Sequence, residues 1–126
     1  MGNQRQESSS TFSSFVQEIL SVSISGTYIS NLRLHKISGE LGLECTLKSA
    51  EHLLSDMFQK SRESGCFPSF IGALLQLFGQ RRQEYEKLAE EFGCSSLFLL
   101  MLAKKASVME QKLHTLCASE PGVCNA

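Results

Sequence analysis

Two apolar stripes set back to back around one glycine constrain this chain more than any other feature. Ile71, Leu74, Phe78, Arg81, Tyr85, Leu88 and Phe92 step strictly by three and four, and Leu99, Leu102, Ala106, Met109, Leu113 and Leu116 do the same. That spacing places each set on one face of an α-helix. Pro68 suits a first helical turn, Gly93 suits the position just past a helix end, and Ser95 or Ser96 can open the next helix. Two helices of about 35 Å joined by about three residues must fold back on each other. The expected spine is an antiparallel helical hairpin over about residues 68–118.

Centring the turn on Cys94 sets a register. Leu88 then lies near Leu100, Phe78 near Met109 and Glu110, and Glu84 beside Lys104 and Lys105, while Arg81 and Arg82 approach Ser107 and Glu110. The charges match across the hairpin. Exposed pairs contribute only about 0.2–1 kcal/mol each, so they select register more than they stabilise. Arg81 stands where its stripe wants an apolar residue; its stem can pack while the guanidinium reaches Glu84 or Glu110.

Shorter amphipathic segments precede the hairpin. Phe12, Phe15, Ile19 and Val22 mark a first helix that frays through Ser23 and Ile24 and closes at Gly26. Thr27 is the expected cap of a second, running through Ile29, Leu32 and Lys36 to Gly39 or Gly42. Thr46 is the expected cap of a third, carrying Leu47, Ala50, Leu54, Met57 and Phe58 to a stop at Gly65. The fold class is all-α: a four- to five-helix bundle in which the first three helices pack over the open side of the last. Leu102 and Phe78 are expected as equal core anchors, each worth about 3–4 kcal/mol on truncation to Ala.

Composition agrees with a single domain. A chain of 126 residues with 42% hydrophobic and 20% charged residues can bury a core, which excludes disorder throughout. Residues 1–10 hold no large apolar side chain beyond Met1 and are expected as a disordered tail, residues 11–118 as the helical domain, and 119–126 as a flexible tail after Pro121-Gly122. A net charge of −1 gives no general field for nucleic acid or anionic membrane. Charges interrupt every long apolar run, so no transmembrane helix is expected. No charged-then-apolar leader opens the chain. Met1-Gly2-Asn3 begins like an N-myristoylation site, but Gln6 replaces the usual Ser or Thr and no polybasic cluster adds a second anchor. Gly2 is thus the one route to a membrane.

Five cysteines, an odd number with no C-x-x-C pair, favour a reducing, cytoplasmic setting. His114 and Cys117 share a helix face, yet zinc needs three or four ligands, and Cys45, His52 and Cys66 lie at unrelated spacings. No metal or cofactor is expected. His35, His52 and His114 have no Ser or Cys partner at a recognised spacing, and Glu84, Glu86, Glu90 and Glu91 form a solvated charge run. The expectation is therefore a protein without catalytic residues, not an enzyme.

One stretch of residues 27–58 has the cadence of a helix-turn-helix DNA reader, with small Ser38 four before Gly42. It covers only about twenty residues. Its second helix offers Lys48 but also Glu51 and Asp56, poor chemistry for phosphates. The stronger expectation comes from Leu97-Phe98-Leu99-Leu100-Met101-Leu102-Ala103, apolar on every side of its helix. One stripe faces the hairpin partner and the rest needs cover. Leu97, Phe98, Met101, Lys105, Val108 and Lys112 step along a second face and are the candidate partner-binding residues. The expected function is a helical protein–protein interaction module, an adaptor or regulatory subunit, binding itself as a homodimer or another helical protein. In a homodimer Lys105 and Lys112 would meet Glu86 and Glu90 of the second copy.

Overall fold

A computed structural model describes residues 14–45, 49–93 and 96–119, and every regular element among them is an α-helix. The elements are α1 (14–20), α2 (Val22–Ser25), α3 (Asn31–Glu40), α4 (Ala50–Ser64), α5 (Phe67–Phe92) and α6 (Ser96–Ser119). The expected tails (residues 1–10, and 119–126 beyond Ser119), the expected cap Thr46, the turn centre Cys94 and the candidate lipid site Gly2 lie outside the described residues.

Local chemistry sets the helix ends. Ser30, not Thr27, caps α3 by accepting from the Arg33 N–H at 3.1 Å, and Ser49 caps α4 by accepting from the His52 N–H at 3.4 Å. The chain leaves α3 through Gly42 at φ +73°, with the Leu43 N–H donating to the Ser38 carbonyl and the Gly42 N–H to that of Gly39. Two carbonyls of the last turn are thereby satisfied. The expected fray after the first helix is instead a break at Ser21, in extended conformation, followed by the single turn α2. Val22 and Ile24 on that turn face solvent rather than the core.

α5 and α6 form the expected antiparallel hairpin, and α5, at 26 residues, runs about 39 Å. α1, α3 and α4 gather on the half of the hairpin away from its turn. The core sits there: Val16 and Ile19 of α1, Leu34 and Ile37 of α3, Leu53, Leu54, Met57 and Phe58 of α4, Phe67 to Phe78 of α5, and Ala106, Met109 and Leu113 of α6. Phe58 is its hub, edge-on to Phe70 at 4.9 Å and in contact with Phe15 and Phe67. Lys112 Nζ reaches Glu18 Oε1 at 2.8 Å, tying α6 to α1.

The cover stops at one joint. Gly26 closes α2 at φ +72°, and a Cβ there would stand 2.7 Å from the Leu102 carbonyl oxygen and 3.1 Å from Lys105 Cβ. Backbone therefore meets backbone where α2 touches α6. Tyr85 of α5 donates its hydroxyl to the Gly26 carbonyl at 2.6 Å and locks the joint from the other arm. Beyond it the chain turns away into α3. Helices before the hairpin thus cover only part of α6, and the apolar run expected beneath them stays open at its beginning.

Two tests follow from this distribution. Phe78 is fully buried, whereas Leu102 at the edge of the cover is only half-buried. In chemical denaturation, Phe78→Ala is expected to cost about 3–5 kcal/mol and Leu102→Ala no more than about 2. Gly26→Ala combines left-handed strain with a backbone clash and is expected to cost about 2 kcal/mol or more. Gly65→Ala, at φ +78° with nothing near its Cβ, meets the strain alone and costs about 1 kcal/mol.

Candidate interaction surface

Past the Gly26 joint the hairpin consists of two helices with nothing described over them. Tyr85 marks the face of α5 that α2 touches; Leu88 and Phe92 follow one and two turns further along that face. Both are exposed, as are Leu97, Phe98, Leu100 and Met101 on the first turns of α6. Leu97 is 80% and Phe98 61% accessible. Only the seam between the arms is closed here, by Ala89 and Ala103. Six large apolar side chains thus share one end of the hairpin.

The six residues singled out on α6 do not behave as one face. Leu97, Phe98, Met101 and, further down, Val108 are open. Lys105 is half-buried with its Cβ against the Gly26 joint, and Lys112 is engaged by Glu18 of its own chain. The structure adds Leu88, Phe92 and Leu100 to the open group. The stripe holding Leu88 and Phe92 was legible as a helix face; its exposure was not.

Polar contacts hold the arms in register below that end. Arg82 Nε donates to Glu110 Oε1 at 2.7 Å, the approach expected from the sequence, and Arg82 also reaches Glu86 at 3.4 Å. The hydrogen bond that Glu110 accepts, and then its charge, raise the Arg82 pKa above its ordinary value. A base held above its unfolded value stabilises the fold at every pH below that value, so this pair does not weaken through loss of the Arg82 proton at ordinary pH. Arg81 stays largely exposed and pairs with Glu84 at 3.0 Å, the snorkelling arrangement.

Two adjoining hollows of about 230 and 150 Å³ run between α3 and α5 and share Arg33, Leu77 and Gln80. Arg33, Lys36 and Arg81 line them together with Glu40 and Glu84, so their charge is mixed. Thr27 Oγ1, also at their edge, is buried without a hydrogen-bond partner among the described residues. Ser49 and His52 come together at 2.7 Å, a Ser–His contact the sequence reading did not foresee. The same Ser49 oxygen accepts the His52 N–H, both residues are exposed, and no carboxylate orients the ring among the described contacts. This is a helix cap. Among the described residues no group of three or more His, Cys, Asp or Glu is placed to hold a metal ion.

Cys45 and Cys66 are thiols, but Cys117, near the end of α6, is disulfide-bonded. That bond departs from the expectation of five reduced cysteines. No described helix is long and apolar enough to cross a membrane. The segment with helix-turn-helix cadence forms α3 and α4, but residues 41–45 and 49, all outside a helix, already exceed the three- to four-residue turn of that motif. Compared with protein-family models, curated proteins and solved structures, the chain matches none of them.

Proposed function

We propose that this chain is a non-enzymatic helical interaction module whose working surface is the open end of the α5–α6 hairpin. One observation carries the reading: Leu88, Phe92, Leu97, Phe98, Leu100 and Met101 are all exposed at that end. Scattered apolar residues on a surface are ordinary, but six large ones gathered on the turns either side of one helix–helix connection mark a contact site. A helical partner fits best, because two bare helices are completed by another helix packed against them. An adaptor or regulatory role follows from a surface that binds without reacting.

The proposed setting remains cytoplasmic, on the odd cysteine count and the thiols of Cys45 and Cys66. The disulfide at Cys117 is the observation against it.

If the hairpin end exists for contact rather than for folding, Leu97→Ser and Phe98→Ser should change unfolding free energy by no more than about 0.5 kcal/mol in dilute protein, against about 3–5 for Phe58→Ala. A loss of several kcal/mol in either Ser variant would mean that the end packs within its own chain, and would overturn the reading. Alkylation of the protein as it leaves its native cell tests the setting. All five cysteines react if the setting is cytoplasmic and reducing, whereas three (five less the bridged two) react if the Cys117 bond persists there, which overturns that setting.

A further inference from the structure

We infer that the occupant of the open hairpin end is the same end of a second copy, the two hairpins meeting about a twofold axis to complete a four-helix layer. The inference rests on the reading of that end as the contact surface and adds the identity of the partner.

The segments of this sequence outside the described residues are poor in large apolar side chains. Residues 1–13 contain only Met1 and Phe12 as large apolar side chains, and residues 46–48 only Leu47. Residues 120–126 add only Val123 as a branched apolar side chain. These segments supply too few large apolar side chains to match the six.

Below the Gly26 joint the hairpin is one layer of a multi-helix bundle; above it, among the described residues, two helices stand alone. Such a pair is half of a four-helix layer, and a second pair of the same length and apolarity completes it. A twofold axis lets one patch serve as both halves. Leaving out Leu100, which lies on the other flank of α6 from Phe98, the remaining five side chains offer on the order of 600 Å² at their fractional exposures, to which flanking backbone and polar atoms add toward the roughly 800 Å² per partner of a stable specific interface.

Charge selects the antiparallel arrangement. The end of α5 carries Glu90 and Glu91, and α6 carries Lys104; all three are exposed and make no ion pair among the described contacts. Laying α5 of one copy across α6 of the other brings each acidic end toward a Lys104, twice by symmetry. The pairing expected from sequence, through Lys105 and Lys112, competes with contacts inside the chain. Lys112 is held by Glu18, Lys105 packs at the Gly26 joint, and Glu86 is already met by Arg82.

Sedimentation equilibrium of the full chain is the test. The wild type should reach twice its 13.9 kDa mass as concentration rises through the micromolar range. Phe98→Glu and Met101→Glu should weaken association at least 100-fold with helical circular dichroism intact, while Ile24→Glu, exposed on α2 away from the end, should not. In wild-type protein, the Met101 methyl resonance should shift with concentration while buried Met57 and Met109 stay fixed. This readout stands even where a variant fails to fold. A wild type that remains at 13.9 kDa throughout overturns the second copy as occupant and leaves a heterologous helical partner for the same surface. A dimer that survives both charged variants, with Met101 unmoved, overturns this interface.

Discussion

A length mismatch governs this structure. The arms α5 and α6 run about 39 and 36 Å, whereas α3 and α4, at 10 and 15 residues, span about 15 and 22 Å. Short helices can cover one half of a long hairpin or be spread thinly over the whole. Burial favours the first, because a close-packed core gains contacts on every side of a side chain. The aromatic hub at Phe58, which takes in rings from α1 and α5, shows where that concentration falls. Everything beyond the reach of the hub is left as two helices facing solvent.

The boundary between the halves is a particular contact, not a gradual thinning. At Gly26 the backbone of the α2 turn approaches the backbone of α6 closely enough that no Cβ fits, and Tyr85 ties the same carbonyl to α5. A glycine there does two things at once. It supplies the left-handed conformation that turns the chain into α3, and it lets the cover sit flush against α6. The apolar residues above the joint then have no neighbour beyond the hairpin itself among the described residues. In this sense the contact surface is a by-product of where the cover ends.

Charges fit the same division. Arg82, Glu110, Lys112 and Glu18 are spent on internal register, between the arms or between α6 and α1, in the covered part of the hairpin. Glu90, Glu91 and Lys104, nearer the open end, have no such use among the described contacts. The Arg82–Glu110 pair is partly shielded from solvent and is worth more than the same charges fully exposed. Those at the open end gain only when a partner excludes water around them.

Much of this was written in local sequence. Three-four spacing, Pro68, Gly65 and Gly93 identify the long helices and their ends, because periodicity and helix termini depend on neighbours within a turn or two. Arg82 meeting Glu110 follows from the length of the connection alone. Sequence also showed that the start of α6 is apolar all round and needs cover from somewhere. It could not say how much of that need the rest of the chain meets. Thr27 and Ser30 are equally good caps on paper, and the choice of Ser30 left Thr27 buried at the joint. Lys105 and Lys112 share a helix face with Met101, yet α1 and α2 dock on the lower part of it and leave the upper part open. Helix and hairpin are short-range consequences of residue order. Which surface stays bare is decided by how six helices of unequal length share one core, and that is settled only by packing in three dimensions.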